Sequence, residues 1–355
     1  YVDETKPGDL MTTGIDAKLE SLDPYTQYIA ESEMEDYRFQ TTGQYGGIGA
    51  IISKKENGIA IREPYEGSPA LRSGIRAGDL ILEVDGRSTK GLDTEDVSKM
   101  LKGQAGTPVK ILVQRNNASP ELRSITREEI KIPDVPYKGM VDETGKVGYL
   151  KLNSFTQTAG TEVRNAVKEL KDQGASKVIL DLRGNGGGLL REAVNIVNLF
   201  TPKGETVVET KGRMADWDKT YKTLSEPLDA DIRLVVLTDT GSASASEIVS
   251  GALQDLDRAV VMGQRTFGKG LVQQTRDLLY NSKLKVTVAK YYIPSGRCIQ
   301  KLDYAQHDST GHAVVRADSS LRGFKTRNGR PVIDGRGILP DVLVEEPEMP
   351  KVVVG

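Results

Sequence analysis

The chain of 355 residues carries 48 Lys plus Arg against 50 Asp plus Glu, and its formal charge of −2 excludes a general electrostatic attraction for nucleic acid or anionic lipid. The charged share of 28% and the apolar share of 37% are typical of a globular protein with material for two or three domains. The single Cys298 excludes an intrachain disulfide, and with only two His, His307 and His312, a zinc site of Cys and His ligands cannot be assembled.

The first 130 residues predict a helical segment followed by a small domain built mostly of strands. Apolar residues at about helical spacing predict helices within 8–38, interrupted by the Ser-Leu-Asp-Pro sequence at 21–24. A glycine-rich stretch at 41–49 comes next. Beyond it, strand patterns lie at 50–53, 58–61, 80–84 and 109–113, and a helix pattern lies at 93–102.

From about residue 140 strands and helices alternate, which predicts an α/β layer architecture. The strand patterns lie at 147–152, 177–182, 233–237, 259–262 and 285–289, and the amphipathic helix patterns at 161–171, 189–200 and 246–256. Residues 303–332 are polar and contain glycine, so we expect them to lie outside the main sheet. Both His lie in this stretch, and we expect neither to be catalytic.

The first candidate for chemistry is a run of small residues between a strand and a helix, at 241–247. Such a turn can expose a hydroxyl at a helix N-terminus, as in a nucleophile elbow, although the G-x-S-x-G pattern is absent. The alternative is a capping serine, because Ser244 or Ser246 could simply satisfy free backbone amides. Composition and spacing do not choose among Ser242, Ser244 and Ser246.

The second candidate is Lys269, in a segment at 263–269 that matches the G-x-x-x-x-G-K pattern of a P-loop. Gly270 stands where a P-loop needs Ser or Thr, and the next residues resemble a strand, so a nucleotide hydrolase is disfavoured. Lys269 has apolar neighbours, which lower the pKa of an amine and let it act as a base. A surface lysine in a turn is the alternative.

The third candidate is the glycine run at 186–188, which follows the strand at 177–182. Backbone amides there could point at a developing oxyanion, and a flexible connection is the alternative. A dinucleotide-binding turn is excluded because Leu189 stands where its last glycine is required. Since all three candidates follow strands of one α/β domain, Ser, Lys and glycine amides together form an acyl-transfer set that needs no His.

Several long motifs, in the same order along the chain, resemble the carboxyl-terminal processing peptidases, also called tail-specific proteases. The resemblance covers nearly the whole chain. The motifs that carry it lie at 21–25, 46–49, 181–183 with the glycine run, 241–247, 266–270, 272–274, 292–297 and 337–341.

The resemblance implies the roles of individual residues. The family separates its nucleophilic Ser from its Lys by 25 positions, as Ser244 and Lys269 are separated here, so Ser244 would be the nucleophile and Lys269 the general base. Gln273 would hold the lysine in place. The oxyanion hole would be formed by the Ala245 amide and a glycine of the run, for which we take Gly188. No metal or organic cofactor is expected.

The resemblance also implies a multidomain α/β architecture. Its parts would be an N-terminal helical segment at 1–42, an inserted PDZ domain at 43–130, and a ClpP/crotonase-like α/β serine peptidase core with a C-terminal extension at 131–355. In the PDZ domain, the carboxylate-binding loop would consist of Tyr45, Gly46, Gly47, Ile48 and Gly49, beside a groove along the helix at 93–102. A hairpin-like bend is the alternative for this loop taken alone.

The expected function is that of a serine endopeptidase that recognises apolar C-terminal tails through its PDZ domain and cleaves by a Ser-Lys acyl-enzyme mechanism. The expected partners are proteins or peptides with apolar C-termini, and nucleic acid is not expected. Assembly into a homo-oligomer is an open alternative. A binding protein on the same scaffold is the alternative, disfavoured by the complete Ser244, Lys269 and Gln273 set. No apolar run is long enough to span a membrane. The chain begins at Tyr1, so we expect its original N-terminus to be missing, and the resemblance alone implies export to a bacterial periplasm.

Overall fold

The computed structural model describes residues 6–116, 118–142 and 144–345, which fold into two compact units with separate apolar cores. The α/β unit contains the described residues of 1–28, 133–279 and 283–355. The small unit contains the described residues of 29–132 together with 280–282.

The secondary structure elements are numbered in chain order. The helices are α1 Pro7–Glu20, α2 Met34–Thr42, α3 Pro69–Arg72, α4 Thr94–Leu101, α5 Ala159–Asp172, α6 Leu190–Asn198 and α7 Ala245–Asp255. The strands are β1 Gln27–Ile29, β2 Gln44–Gly47, β3 Ala50–Lys55, β4 Gly58–Pro64, β5 Leu80–Val84, β6 Arg87–Ser88, β7 Pro108–Gln114, β8 Glu121–Thr126, β9 Glu128–Lys131, β10 Tyr137–Met140, β11 Val147–Lys151, β12 Lys177–Asp181, β13 Thr206–Gly212, β14 Lys219–Lys222, β15 Arg233–Thr238, β16 Val260–Gly263, β17 Leu271–Asp277, β18 Lys283–Tyr292, β19 Leu302–His307, β20 Ala313–Val315, β21 Gly323–Lys325, β22 Pro331–Ile333 and β23 Val342–Leu343.

The α/β unit is organised around a sheet with the strand order β10-β11-β12-β15-β16-β23. The strands are parallel except β10, which pairs antiparallel with β11 at the edge. Apolar residues of the central strands β11, β12 and β15 are buried, as are the apolar stripes of α5, α6 and α7. The predicted α/β layers are confirmed, and the helices begin and end within a few residues of the predicted limits.

A second sheet of the α/β unit contains the strands β1, β18, β13 and β14 in that order, with β17 paired to β18 as an antiparallel hairpin. The polar stretch at 303–332 forms two small hairpins, β19 with β20 and β21 with β22, outside both large sheets. This agrees with its predicted place outside the main sheet.

The small unit is built on the sheet β3-β4-β5-β7-β8, with β6 paired to β5 and a separate pair formed by β2 and β9. Its core contains Ile59, Ile61, Ile81 and Ile111 from the strands and Val97 from α4. The unit begins at Ile29, because α2 packs against β2, whereas the predicted domain boundary lay after residue 42.

Helix α1 forms where its spacing predicts it, and Pro7 occupies its first turn. Its apolar residues are nevertheless on the surface, with Leu10 66%, Met11 68% and Ile15 40% exposed. Among the described residues, no helix combines the length and apolarity that crossing a membrane requires.

Candidate active site

Three parallel strands bring the predicted site residues together at the carboxyl-terminal ends of the strands of the main sheet. The glycine run follows β12, the serine run follows β15, and the loop with Lys269 follows β16. Because parallel strands end at the same edge, segments that are far apart in the chain meet there. Ser244 stands directly before α7, at the N-cap position.

The hydrogen bonds distinguish the three serines. The hydroxyl of Ser242 donates to the Leu182 carbonyl oxygen at 2.9 Å, and that of Ser246 donates to the Asn185 carbonyl oxygen at 2.8 Å. The Glu247 amide donates to the Ser244 carbonyl oxygen at 2.9 Å and not to its hydroxyl. Among the described residues, the Ser244 hydroxyl caps no amide of α7, and Ser244 is only half-buried. Its φ of 56° and ψ of −112° are rare for a residue with a side chain. The capping alternative therefore does not describe Ser244, and its hydroxyl remains available for chemistry.

One buried carboxylate joins the backbones of Ser244 and Lys269. Oε2 of Glu247 accepts hydrogen bonds from the Ser244 amide at 2.8 Å and the Lys269 amide at 2.9 Å. Oε1 accepts from the Thr266 hydroxyl at 2.6 Å and the Gly268 amide at 2.7 Å. Burial raises the pKa of Glu247 to about 7, although these four hydrogen bonds favour its charged form.

Tyr291 connects the same two residues from the other side. This fully buried tyrosine places its hydroxyl within hydrogen-bonding distance of the Lys269 carbonyl oxygen and 3.1 Å from the Ser244 carbonyl oxygen. The single hydroxyl hydrogen is shared between these acceptors. Glu247 thus accepts from the amides of Ser244 and Lys269. The Tyr291 hydroxyl donates to the carbonyl oxygens of the same two residues.

The amine of Lys269 lies in a poorly hydrated place. Burial lowers its pKa to about 8 with help from Lys285, while Glu247 and Asp23 oppose the shift. Within the described part of the chain, Nζ has no hydrogen bond or ion pair, and it lies 4.1 Å from the centre of the Tyr25 ring. With a pKa of about 8 this amine loses its proton in mildly alkaline solution, and its neutral form can serve as a general base.

Gln273 lies on β17, the strand that begins two residues after Lys269, the residue it was expected to hold. Its Nε2 donates to the Thr287 hydroxyl on β18 at 3.1 Å. The Thr287 hydroxyl in turn donates to Oδ1 of Asp23 at 3.1 Å. The role of Gln273 in holding Lys269 stays a prediction.

The glycine run lies directly against Ser244. A Cβ on Gly187 would come within 2.8 Å of the Ser244 Cβ and 2.9 Å of the Ala245 amide nitrogen, so only glycine fits there. The Gly187 amide donates to the side chain of Asn185 at 2.9 Å. The Gly188 and Ala245 amides have no hydrogen-bond acceptor among the described residues. Gly188 and Ala245 remain the predicted oxyanion donors.

The loop before β17 does not have the form of a phosphate-binding loop. The amides of Gly268 and Lys269 donate to Glu247, and that of Gly270 donates to Oε1 of Gln300 at 2.7 Å. A strand follows the loop where a P-loop requires a helix. These amides are therefore already occupied by protein acceptors.

The predicted carboxylate-binding loop of the small unit lies partly in β2 and partly between β2 and β3. The Gly46 amide donates to the Glu35 carboxylate of α2 at 2.9 Å. The carbonyl oxygens of Ile48 and Gly49 accept from the Ala70 and Tyr65 amides, each at 2.9 Å. The loop backbone is thus held by the Gly46 amide and by the carbonyl oxygens of Ile48 and Gly49. Tyr45 is buried and packs edge-on against Phe39 of α2, 5.4 Å between ring centres.

The two histidines lie outside this site. His312 is exposed and pairs with the Thr310 hydroxyl, and His307 is exposed on β19. Within the described ranges, no cluster of three or more His, Cys, Asp or Glu side chains could hold a metal ion.

Glu247 and Tyr25 were not among the predicted site residues. Glu247 stands three positions after Ser244, as the glutamate of a capping box does, so the spacing contained a signal for its bond to the Ser244 amide. Tyr25 belongs to the motif at 21–25, but no local pattern indicates that this motif reaches Lys269.

Comparison with known proteins finds two family matches and several relatives. Residues 146–308 match the family described as Peptidase family S41, and residues 61–115 match the family described as PDZ domain. The chain is 39% identical over 302 residues to a CtpA-like serine protease of Staphylococcus aureus strain N315, covering 84% of this chain and 60% of that protein. It is 34% identical over 350 residues to the CtpA-like serine protease of Staphylococcus saprophyticus, covering 98% and 63%.

Solved structures share the fold. The photosystem II D1 C-terminal processing protease superposes with a TM-score of 0.53 at 28% identity, covering 98% of this chain and 85% of that chain. An S41 protease from Bacteroides fragilis NCTC 9343 superposes with a TM-score of 0.51 at 15% identity, covering 98% and 85%. The predicted α/β fold with a PDZ domain is confirmed. The chain spans about three fifths of the length of the curated relatives that it matches.

Proposed function

Because the chain belongs to peptidase family S41 and carries a PDZ domain, we propose that it is a serine endopeptidase that binds apolar C-terminal tails and cleaves upstream of them. The observation that carries the proposal is the pairing of Ser244 with Lys269 through Glu247. The hydroxyl is uncapped, and burial lowers the pKa of the amine to about 8. A binding protein has no need of this combination.

The mechanism uses the groups in sequence. Neutral Lys269 accepts the proton of the Ser244 hydroxyl as Oγ attacks the peptide carbonyl carbon. The Ala245 and Gly188 amides stabilise the tetrahedral oxyanion, an effect worth about 3–4 kcal/mol per donor in other hydrolases. Protonated Lys269 then gives its proton to the leaving amine, which leaves an ester on Ser244. Water, deprotonated by Lys269, hydrolyses that ester.

Tail binding is proposed for the small unit. The strand β3 is at the edge of its sheet, so a peptide can add to it as a further strand, and α4 packs beside it. The loop of Tyr45 to Gly49 runs into β3. Because the Gly46 amide donates to Glu35, the terminal carboxylate would be received by other amides of this loop, such as those of Ile48 and Gly49. Apolar residues of α4, including the half-buried Met100, would favour an apolar last residue. The name of the photosystem II D1 C-terminal processing protease supports cleavage near the C-terminus of a substrate.

Two further features belong to the proposal. The family resemblance favours an exported protein of a bacterial periplasm, which cell fractionation would test. The exposed apolar residues Leu10, Met11 and Ile15 of α1 favour a homo-oligomer. Light scattering of the wild type and of a Leu10→Glu, Met11→Glu variant would test assembly.

The catalytic assignment is tested by cleavage of an unstructured protein with an apolar tail. Ser244→Ala and Lys269→Met should each lower kcat/KM by more than about a thousandfold, because the nucleophile and base act as a unit. Ser176→Ala, an exposed serine before β12, is the matched control and should cleave normally. Undiminished cleavage by folded Ser244→Ala protein would disprove the assignment.

Tail recognition is tested separately with the inactive Ser244→Ala protein. A peptide with an apolar C-terminus should bind at least about tenfold more tightly with a free carboxylate than with a carboxamide, because charge-assisted hydrogen bonds are lost in the amide. Equal affinities would contradict carboxylate capture. If wild-type protein bound the tail and left the substrate intact, the chain would be a binding protein instead.

A further inference from the structure

The Nζ atom of Lys269 is covered by an aromatic ring from the N-terminal segment. It lies 4.1 Å from the centre of the Tyr25 ring, well within the distance at which a ring face attracts an ammonium group. Tyr25 is half-buried, and its ring meets the Tyr304 ring edge-on at 6.0 Å between centres. Its hydroxyl is 3.4 Å from the Tyr304 hydroxyl, on the side of the ring remote from the backbone. The ring therefore has a fixed orientation.

The turn that carries Tyr25 is organised by one buried carboxylate. Oδ1 of Asp23 accepts from the Tyr25 and Thr26 amides, each at 2.9 Å, and Oδ2 accepts from the Thr26 hydroxyl at 3.0 Å. Pro24 restricts the backbone between them. Asp23 and Thr26 are both buried, so the turn is part of the packed α/β unit.

The same turn is bound to the strand β18 and through it to Gln273. The Thr287 amide donates to the Thr26 hydroxyl at 3.2 Å, and the Thr287 hydroxyl donates to Oδ1 of Asp23 at 3.1 Å. Gln273 donates to the same Thr287 hydroxyl at 3.1 Å. A continuous chain of hydrogen bonds thus runs from Gln273 to the turn that holds the ring over Lys269.

We propose that the 23–26 turn is part of the active site, with Tyr25 as a positioning residue that holds the amine of Lys269 against its ring face. The Asp23–Thr287–Gln273 chain keeps Tyr25 in place. A ring face attracts the ammonium form, yet it accepts no conventional hydrogen bond and forms no ion pair. The neutral amine therefore keeps its lone pair for the Ser244 proton. This inference rests on the proposed function.

The Tyr25 ring should affect the pKa of Lys269. The charged groups that act on Lys269 are Lys285 on β18, Glu247 on α7 and Asp23 in the turn, and all of them are retained when Tyr25 is replaced. Leucine would keep the apolar cover and remove the attraction for the ammonium form. The pKa of Lys269 should then fall, and the acid limb of the kcat profile should move to lower pH.

The test is the pH dependence of kcat for Tyr25→Phe and Tyr25→Leu. Phe keeps the ring and should leave the acid limb in place. Leu should move the limb down by about half a unit to one unit and lower kcat several-fold. Tyr137→Leu, an exposed tyrosine on β10, is the matched control and should change neither. An acid limb that stays in place or moves to higher pH in Tyr25→Leu would overturn the inference.

A second pair of variants tests the supporting chain without touching the ring. Thr287→Val removes the hydroxyl and should lower kcat several-fold with little change in KM, while Thr287→Ser keeps the hydroxyl and should restore kcat. Equal kcat values for Val and Ser would contradict the chain. If Ser244 and Lys269 prove essential and these variants behave as wild type, only the inference fails. If cleavage does not require Lys269, the proposed function itself fails.

Discussion

Folding removes the charged amine of Lys269 from water, which is unfavourable for its protonated form. Its pKa of about 8, against an ordinary 10.5, means that the folded state binds the proton more weakly than the unfolded state. Burial of the charged amine therefore destabilises the fold at neutral pH, and this penalty disappears as pH rises from about 8 to 10.5, where the folded state is neutral first.

The first prediction is that Lys269→Met is inactive but more stable. At pH 7 its free energy of unfolding should exceed that of wild type by up to about 3 kcal/mol, since one pKa unit corresponds to about 1.4 kcal/mol. The gain should shrink between pH 8 and 10.5. Urea unfolding at several pH values would measure it, and a less stable variant at pH 7 would show that Lys269 has a structural role.

Glu247 gives the second prediction at this scale. In Glu247→Gln an NH₂ group replaces one carboxylate oxygen. This NH₂ group would face hydrogen-bond donors that are bound to the carboxylate in the wild type. We expect kcat to fall at least tenfold, because leaving a buried donor unpaired costs about 1–3 kcal/mol. Glu162→Gln is the control, since Glu162 accepts the Val135 amide at 3.1 Å away from the site, and its kcat should be normal. Normal kcat in folded Glu247→Gln protein would contradict this role.

How far single residues can be predicted depends on whether their partners are local. The bond between Glu247 and the Ser244 amide follows from a local spacing, S-x-x-E, and could be predicted. The bond from the same carboxylate to the Lys269 amide spans 22 positions and forms only because two parallel strands end side by side. Tyr25 reaches Lys269 through folding of the N-terminal segment, and no periodicity in the sequence indicates that.

At the scale of elements, α1 and α5 have similar apolar spacing and opposite surroundings. Leu170 of α5 is fully buried, whereas Leu10 of α1 is 66% exposed. Spacing predicted both helices correctly, because the 3.6-residue period is a property of the helix itself. Whether a partner covers the apolar side depends on the rest of the fold, so spacing alone could not separate the two cases.

The third prediction uses this contrast. Leu170→Ala should lower the free energy of unfolding by about 2–5 kcal/mol, because it leaves a cavity under a packed helix. Leu10→Ala should change it by less than about 0.5 kcal/mol. Thermal unfolding of the dilute protein, followed by circular dichroism, would compare them. A large loss from Leu10→Ala would show that α1 is covered in solution.

At the scale of the whole molecule, the described residues form two apolar cores with no residue in common. The strand patterns of both units could be predicted, since alternation and turn residues are local signals. The place where one unit ends could not, because α2 belongs to the small unit through its packing on β2 and not through any change in composition.

The fourth prediction is that the Ser244→Ala protein unfolds in two calorimetric transitions, one for each core. A tail peptide with a free carboxylate, at about a hundred times its Kd, should raise one transition by several degrees and leave the other in place. The carboxamide peptide at the same concentration is the control. A single transition, or equal shifts of both, would contradict independent unfolding.

The left-handed backbone at Ser244 has a practical consequence for anyone who wishes to identify natural substrates. Alanine removes the nucleophile but retains the Cβ that makes φ of 56° unfavourable, whereas glycine adopts such an angle freely. The Ser244→Gly protein should therefore be more stable than the Ser244→Ala protein and persist longer in a cell extract. It is the better inactive variant for capturing uncut substrates, which mass spectrometry can then identify.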